Sequence, residues 1–363
     1  MITVKRWSGN PILSPRNNYW EKMQIRNPAA VHDRGKVFLV YTARTVWNTI
    51  YLGLATSRDG LHFERAGELP WYSPSKEGFD AGIVEDARVV KIGDTFYITY
   101  AARSIGKEEY AAGRLPSYRT NGRPTWTRNW RRGGLLATRD FKTLKCLGPI
   151  TSDRMYDCNI ILFPKKVGGR YVLLHRPTPY EPLPEDCVRH PERRGEICIS
   201  FSKDLRYWSG TRVLARPEFA WENLKIGGSV PPIWTPQGWL TLYHGVQGTS
   251  TRDMVYRVGV MLLDLKDPTK VLARSPHFIM EPEKDYEKQG TVPNVVFPNG
   301  AVVIDGILHI YYGGADTVCA VATVPLAELL DHVLSFSDIC GCPGASVAPR
   351  NSGTCNRNRK QKR

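Results

Sequence analysis

The sequence predicts an all-β protein, a five-bladed β-propeller with its functional site at one mouth of the central funnel. Three observations support this prediction. A strand–turn–strand unit recurs five times along the 363 residues, Gly-containing turns fall at equivalent places in the copies, and polar residues gather where the predicted strands begin and end. Strand units repeated at a regular period are typical of propellers.

Each unit reads as a short apolar strand, a polar turn, and a second strand in which aromatic and aliphatic residues alternate. In chain order the units are "NPAAVHDRGKVFLVYTA", "EDARVVKIGDTFYITYAA", "NIILFPKKVGGRYVLLHRP", "SVPPIWTPQGWLTLYHGV" and "NVVFPNGAVVIDGILHIYYGGAD". A third strand follows each unit, and often a fourth. The anchors of the second strands recur roughly every 60–75 residues and are Tyr41, Tyr100, His175, Tyr243 and Tyr311. A β-sandwich with coincidentally similar strands is the alternative fold.

Propeller geometry brings polar residues of all five units to one mouth, because the first strand of each blade begins at the face where the second strand ends. The strand starts supply Asn27, Asp86, Asn159, Lys225 and Asn294. The strand ends supply Arg44, Arg103, Arg176, His244 and Asp316. The opposite mouth receives only turn residues. We therefore predict that the active site lies at the mouth where these ten residues meet.

Several of these side chains also have a purely structural interpretation. Asn27 precedes a proline and suits a turn, and His244 follows an apolar strand and suits a buried histidine. Solvated surface charges would equally explain Arg44, Arg103 and Lys225.

The fragment "GIVEDARVV" places two acids side by side in an apolar strand. Neighbouring side chains on a strand point to opposite faces. Asp86 begins the strand that faces the funnel, so we expect Glu85 to point into the blade in a structural role. Arg88, two residues further on, is a candidate for a structural ion pair with Asp86.

The composition restricts the class of protein. The first residues, "MITVKRWSGNPILSP", lack the apolar run of a signal peptide, and no stretch approaches the roughly 20 apolar residues of a membrane span. Eight cysteines lie along the chain as in a reduced intracellular protein. We expect a cytoplasmic protein without a membrane partner.

The formal charge of +15 raises the question of nucleic-acid binding. Eleven of the fifteen excess charges lie in two segments, 107–132 and 350–363, so the rest of the chain is only mildly basic. A basic chain end is typical of a solvated segment, and we expect no nucleic-acid partner. The predicted domains are a five-bladed propeller over 1–335 and a basic, disordered tail over 336–363. The C-x-C of that tail has no second pair to complete a metal site.

The residues of the predicted mouth suit an anionic reactant. Inverting glycoside hydrolysis needs two carboxyl groups, one as acid and one as a base that activates water. The mouth offers two carboxylates, Asp86 and Asp316, but also three cations or donors, Arg176, Lys225 and His244. Arginine grips phosphate oxygens through a bidentate fork and lysine adds a point charge, and phosphate arrives already nucleophilic. The set indicates a phosphorylase rather than a hydrolase.

Four segments resemble glycoside hydrolase family 130, the β-mannoside phosphorylases, in order and from about Asn10 to Leu330. They are "EDAR", "LFPKKVGGRYVLLHRP", "KIGGSVPPIWTPQGWLTLYHGV" and "VVFPNGAVVIDGILHIYYGGAD". The resemblance implies a five-bladed propeller that cleaves a β-mannoside with inorganic phosphate, inverts the anomeric carbon and yields α-mannose 1-phosphate. The substrates it implies are mannosyl-glucose, mannobiose or mannooligosaccharides, and which acceptor sugar is used stays open.

The resemblance also implies roles for individual residues. Asp86 is the single catalytic aspartate, and its proton is thought to pass through a sugar hydroxyl. Phosphate binding falls on Arg176, Lys225 and His244, and mannose binding falls on Asn27 and Asp316. Phosphate is the co-substrate, and we expect neither a metal nor an organic cofactor. An inverting β-mannoside hydrolase on the same propeller and a non-catalytic sugar-binding propeller are the alternatives.

Two positions depart from the family's pattern. Ala87 stands where the family commonly has proline after the aspartate. Thr42 stands where an arginine usually ends the second strand of the first blade, so Arg44, on the same strand face, is the candidate for that mannose contact.

The second blade carries an insertion, 105–132, on the predicted active-site face. Its aromatic residues suit sugar stacking, and a contact between subunits suits them equally. A homo-oligomer is the default expectation for a soluble enzyme.

Overall fold

The computed structural model describes residues 2–114, 118–120, 123–125, 129–179 and 184–337. Within them strands dominate and helices are few, which confirms the all-β prediction. The strands, numbered along the chain, form successive units that are antiparallel within themselves, and a parallel pairing of Ile50 with Ile83 joins the first two units into one sheet. The first unit contains β2 (Gln24–Asp33), β3 (Lys36–Arg44), β4 (Ile50–Ser57) and β5 (Glu64–Arg65). The second contains β6 (Ile83–Ile92), β7 (Thr95–Arg103), β10 (Arg132–Thr138) and β11 (Lys145–Pro149).

Three further units follow. The third contains β12 (Ile161–Leu162), β13 (Tyr171–His175), β14 (Ile197–Ser202) and β15 (Trp208–Ala215). The fourth contains β16 (Lys225–Gly228), β17 (Ile233–Thr235), β18 (Gly238–Gln247), β19 (Val255–Leu263) and β20 (Val271–Arg274). The fifth contains β21 (Val296–Ile304), β22 (Ile307–Gly314), β23 (Val318–Pro325) and, paired with β23, β1 (Lys5–Arg6). A strand from near the start of the chain therefore completes the last sheet.

Short helices and one small hairpin lie between these strands. The α-helices are α1 (Lys107–Ala111), α2 (Pro184–Arg189), α3 (Asp285–Lys288) and α4 (Leu326–Leu334), and two 3-10 turns span Pro191–Arg193 and Ala220–Glu222. The hairpin consists of β8 (Tyr118–Thr120) and β9 (Arg123–Thr125). None of the described helices is long and apolar enough to cross a membrane.

The predicted turns between the first and second strands of the units are confirmed. In the first two units, Gly35 and Gly93 lie at these turns with φ of +71° and +61°. Such left-handed backbone costs glycine little, because glycine has no Cβ. The turns thus set the register of the hairpins that carry the polar residues.

Apolar clusters pack each unit against the next. The first and second units share one cluster, the second and third another, the third and fourth another, and the fourth and fifth another. A further cluster joins the first unit, with Ile25 and Tyr41, to the fifth, with Val302 and Cys319. The last unit therefore packs against the first as well as against its predecessor.

Buried acids anchor the second strands. Tyr41 Oη lies 3.3 Å from Glu21, Tyr100 Oη 2.8 Å from Asp80, and His175 Nδ1 2.7 Å from Asp157. In the fifth unit the residue that bonds an acid is Tyr312, which directly follows the repeat position Tyr311. Tyr312 donates to Glu287 at 2.6 Å, whereas Tyr311, on the other strand face, donates to the carbonyl of Gly60 at 2.9 Å.

The predictions for most of the tail and for part of the inserted segment fall on residues outside the described ranges. In the insertion these are 115–117, 121–122 and 126–128, and in the tail the residues beyond 337.

Candidate active site

One cavity of about 270 Å³ is lined by side chains from all five units. Seven of the ten predicted site residues lie on its wall: Asn27, Asp86, Asn159, Arg176, Lys225, His244 and Asp316. The ends of strands that are far apart in sequence thus meet at one place, as the repeat pattern predicted.

Backbone bulges aim Asn27 and Asp86 into the cavity. Each interrupts the pairing of its strand, and their φ angles are +52° and +56°. Left-handed backbone is uncommon outside glycine and is tolerated best by Asn and Asp, and a bulge re-aims the side chain it carries. Asn27 Nδ2 donates to Asp86 Oδ1 at 2.7 Å. Thr42 Oγ1 accepts the Asp86 N–H at 2.9 Å, so the residue that departs from the family pattern holds the aspartate's main chain.

Arg176 is a buried member of a cationic wall of the cavity. Its Nη1 donates to the carbonyl of Ile226 at 3.1 Å and its Nη2 to Cys158 Sγ at 3.1 Å. Its main-chain N–H donates to Asp157 Oδ1 at 3.1 Å. The Nε has no hydrogen-bond partner among the described residues, although the side chain is buried. An anion in the cavity is the kind of ligand that would satisfy such a guanidinium.

Lys225 and His244 extend this wall from the fourth unit. Lys225 Nζ lies 5.6 Å from the centre of the Tyr256 ring. Burial holds the pKa of His244 well below its usual range, and the charges of Arg176 and Lys225 lower it further. The imidazole is therefore neutral at pH 7, with Nδ1 3.2 Å from Ser229 Oγ.

Gly227 lets β16 pass close to this imidazole. A Cβ at that position would lie 2.6 Å from the His244 ring and 2.7 Å from Asn159 Oδ1. Only glycine leaves room for both side chains on the wall, so Gly227 is a packing requirement of the site.

Arg88 bonds main chain rather than the Asp86 carboxylate, so the expected ion pair is not the contact observed. Nη1 donates to the carbonyl of Asp86 at 2.7 Å, and Nε to the carbonyl of Ser229 at 2.5 Å. The side chain is fully buried, and that burial lowers its pKa to about 10, partly offset by the charge of Asp86. The guanidinium stays charged at pH 7 and ties the second unit to the fourth.

Glu85 lies between two arginines. Arg26 Nη2 is 2.6 Å from Glu85 Oε2, and Arg131 Nη2 is 2.6 Å from Oε1. The carboxylate does not line the cavity that Asp86 lines but lines a second, adjoining one, so the two acids do face different places, whereas the expectation that Glu85 points into the blade is not confirmed. Arg26 Nε also lies 4.0 Å from Asp316 Oδ2. Burial raises the pKa of Asp316, Arg26 lowers it, and the negative charge of Asp86 raises it again.

Three predicted residues do not line this cavity. Arg44 lies on the wall of an adjoining cavity. Arg103 donates to the carbonyl of Asn129, and its guanidinium lies 5.8 Å from the centre of the Tyr156 ring, so it packs beneath a loop. Asn294 precedes β21, where its carbonyl accepts the N–H of Tyr256 at 3.0 Å.

Several wall residues were not predicted: Arg26, Arg131, Tyr156, Cys158, Met254, Tyr256, Val292, Val295 and Phe297. Arg26 directly precedes Asn27, and Cys158 directly precedes Asn159. Regular alternation along a strand places such neighbours on the opposite face, but left-handed residues break that alternation. Tyr156 and Met254 lie in loops, where no period exists to guide a prediction.

The wall is suited to bind an anion and, beside it, a molecule with several hydroxyl groups, rather than a metal. Four cationic side chains, Arg26, Arg131, Arg176 and Lys225, face two carboxylates, Asp86 and Asp316. Across the described part of the chain, no three His, Cys, Asp or Glu side chains are grouped so that they could hold a metal ion. The arrangement can bind an anion at one end and hydrogen-bond a polyol at the other.

Comparisons with known proteins agree with this chemistry. A family model described as beta-1,4-mannooligosaccharide phosphorylase matches residues 5–335. The chain is 34% identical to a 1,2-beta-oligomannan phosphorylase of Thermoanaerobacter sp. strain X514, over 91% of this chain and 99% of that protein. It is 31% identical to a beta-1,4-mannooligosaccharide phosphorylase of Ruminococcus albus, over 93% and 92%.

A solved structure shows the same likeness. The beta-1,2-mannobiose phosphorylase of Listeria innocua, in complex with beta-1,2-mannobiose, superposes with a TM-score of 0.73 at 27% identity. The superposition covers 91% of this chain and 99% of that one.

The substitution Glu85→Gln tests the structural role of this acid. Removing the charge takes the shared counterion from the buried Arg26 and the partly exposed Arg131, which we expect to lower the free energy of unfolding by about 3–5 kcal/mol. The measurement is chemical denaturation of the folded protein. Glu281→Gln is the matched control, because Glu281 pairs with Arg257 at 3.0 Å but is 41% exposed, and it should cost about 1 kcal/mol or less. Equal costs for the two variants would contradict a structural role for Glu85.

Proposed function

The chain belongs to the β-1,4-mannooligosaccharide phosphorylase family, glycoside hydrolase family 130, and on that premise we propose that it cleaves β-mannosides with inorganic phosphate to give α-mannose 1-phosphate. The observation that carries the proposal is one cavity in which carboxylates face Arg176, Lys225 and His244. Relatives named as phosphorylases of mannobiose, oligomannan and mannooligosaccharides support a mannoside as the substrate.

Phosphate binds at the cationic wall. Arg176 offers its unpartnered Nε–H, Lys225 adds a point charge, and neutral His244 offers a ring nitrogen. Phosphate needs no general base, so positioning and charge neutralisation are what this wall must supply. The buried charge of Arg88 nearby strengthens the attraction for an anion.

The mannose to be transferred lies between this wall and the carboxylates. Asp86 is the general acid, and Asn27, Asn159 and Asp316 hold the sugar hydroxyls. A phosphate oxygen forms a bond to the anomeric carbon while the bond from that carbon to the leaving oxygen breaks. The proton of Asp86 reaches the leaving oxygen through a sugar hydroxyl, so the acceptor departs as a neutral alcohol. Attack from the face opposite the leaving group inverts the anomeric carbon.

The five units form a five-bladed β-propeller in this proposal, with residues 1–335 as the catalytic domain. Two observations support it. The apolar clusters join consecutive units and also join the fifth to the first, and β1 pairs with β23 near the opposite end of the chain. Closing the first strand onto the last sheet is a way to remove exposed sheet edges.

Phosphate dependence is the direct test of the function. With a β-mannobiose or a mannooligosaccharide, we expect sugar release only when phosphate is present, measured as α-mannose 1-phosphate formed. Sugar release that did not depend on phosphate would instead identify a hydrolase.

Lys225→Ala should raise the KM for phosphate about 10- to 150-fold, because it removes one charge-assisted contact. The matched control is Lys165→Ala, since Lys165 stacks on Trp234 away from the cavity and should leave that KM unchanged.

Asp86→Asn tests the general acid. The amide keeps the shape of the side chain but cannot donate a carboxylic proton, so we expect kcat to fall about 10²- to 10⁴-fold while phosphate affinity is largely kept. Steady-state kinetics with phosphate varied at saturating oligosaccharide give both quantities. Near-normal kcat in this variant would move the catalytic role to another residue, Asp316 being the remaining carboxylate on the wall.

His244 should take up a proton when an anion binds. Burial lowers its pKa most and the nearby cations lower it further, so a bound dianion that offsets those cations raises it toward its usual value near 6.5. Proton uptake is expected at pH 6 and absent at pH 8, above both pKa values. Sulfate is the probe, because it stays a dianion throughout this range, and calorimetry in buffers of different ionisation enthalpy measures the uptake. The same uptake in His244→Gln would assign the proton to another group.

A further inference from the structure

A second cavity of about 310 Å³ adjoins the candidate active site on the side of the first two units. The two cavities share the side chains of Arg26, Arg131, Val292 and Asp316. The second is also lined by Gln24, Arg44 and Asn48. None of the three phosphate-wall residues lines it. It therefore lies at the end of the site away from the proposed phosphate.

Gln24 is the unusual member of this second cavity. Its side chain is fully buried, at 0% exposure, and neither its amide oxygen nor its amide nitrogen has a hydrogen-bond partner among the described residues. Buried polar atoms are almost always paired, because an unpaired buried group lowers the stability of the fold. An amide accepts hydrogen bonds at its oxygen and donates two from its nitrogen, so it complements a pair of neighbouring sugar hydroxyls.

An exposed indole stands at the same end of the first unit. Gln24 pairs in β2 with Arg44, the last residue of β3, and Trp47 lies in the turn that follows. Trp47 is 82% exposed, yet its turn is ordered, since Thr45 Oγ1 accepts the N–H groups of Trp47 and Thr49 at 3.0 and 3.1 Å. An aromatic ring held out in this way offers a flat face on which a sugar ring can stack.

The stereochemistry of an inverting displacement indicates which part of the substrate the second cavity would bind. The nucleophile and the leaving group lie on opposite faces of the anomeric carbon. With phosphate at the cationic wall, the leaving sugar must depart away from Arg176 and Lys225. The second cavity, beyond Asp316 and Arg26, lies in that direction.

We infer that the second cavity holds the acceptor side of the substrate, with Gln24 reading a hydroxyl pair of the first acceptor sugar and Trp47 stacking on the second. The inference rests on the proposed phosphorolysis and adds to it a preference for chain length. A disaccharide reaches Gln24 only, whereas a trisaccharide also reaches Trp47. The chain is therefore a phosphorylase that favours mannooligosaccharides of three or more units over mannobiose.

The test compares kcat/KM for β-linked mannose oligomers of two to five units in the full-length protein. The wild type should favour the trisaccharide over the disaccharide about 3- to 10-fold, the value of one stacked aromatic contact. Trp47→Ala should abolish that preference and leave the disaccharide and the KM for phosphate unchanged. Tyr207→Ala is the matched control, because Tyr207 is 79% exposed on the third unit, and it should change nothing.

Gln24→Met keeps the volume of the side chain and removes its polar atoms. It should lower kcat/KM for every oligomer about 3- to 10-fold without changing the KM for phosphate. Its Tm without ligand should equal or exceed that of the wild type, because no unpaired amide stays buried. A lower Tm would show that Gln24 has a structural partner and would overturn its assignment to the substrate.

Two further measurements separate the inference from the function on which it rests. Calorimetric binding of the trisaccharide without phosphate does not need catalysis. If the trisaccharide binds and both variants weaken its binding, but no phosphorolysis is seen, the acceptor role of the cavity is kept and the proposed function is rejected. If phosphorolysis is seen and both variants have wild-type values, the proposed function is kept and the acceptor role of the cavity is rejected. Absence of both would reject both. Light scattering on Trp47→Ala gives the molecular mass of the variant. A change in mass, together with an equal loss of kcat/KM for all oligomers, would show that Trp47 is a subunit contact and would overturn the stacking role.

Discussion

The buried guanidinium of Arg88 connects the two halves of the active site. It donates to the carbonyl of Asp86 on one side and to the carbonyl of Ser229 on the other, and the Ser229 hydroxyl lies 3.2 Å from His244. The main chain of Asp86 and, through Ser229, the imidazole of His244 in the cationic wall therefore depend on one side chain. Burial of this charge is unfavourable in itself, and the two carbonyls and the nearby Asp86 carboxylate offset part of that cost.

The same pattern of backbone strain recurs in the first three units. Asn27, Asp86 and Asn159 hold φ between +52° and +56° at corresponding places, and each presents its side chain to the cavity. Strained residues of this kind persist only where the surroundings hold them. For Asp86 those surroundings are Thr42, Asn27 and Arg88. The charges also differ between the two ends of the cavity. At one end Glu85 pairs with Arg26 and Arg131, whereas at the other end Arg176 and Lys225 can bind an anion.

Local sequence patterns were sufficient to predict much of the fold and many residues of the candidate site. Alternation and Gly-containing turns predicted the β-hairpins, because these depend on neighbours in the chain. The fivefold repeat placed Asn27, Asp86, Arg176 and Lys225 at corresponding ends of hairpins, which is why residues far apart in sequence could be assigned to one site. Strand alternation predicted that the adjacent acids of "EDAR" face different places, and they line different cavities.

Only the tertiary structure decided which residues reach the wall. Bulges and left-handed residues break the alternation, so Arg26 and Cys158 turn toward the cavity although the period places them elsewhere. Arg44 and Arg103 end equivalent strands, but one lines the adjoining cavity and the other packs beneath a loop. Arg88 bonds main chain of two units, and Gln24 is buried without a partner among the described residues. Such contacts join segments far apart in the chain, so local sequence patterns cannot specify them.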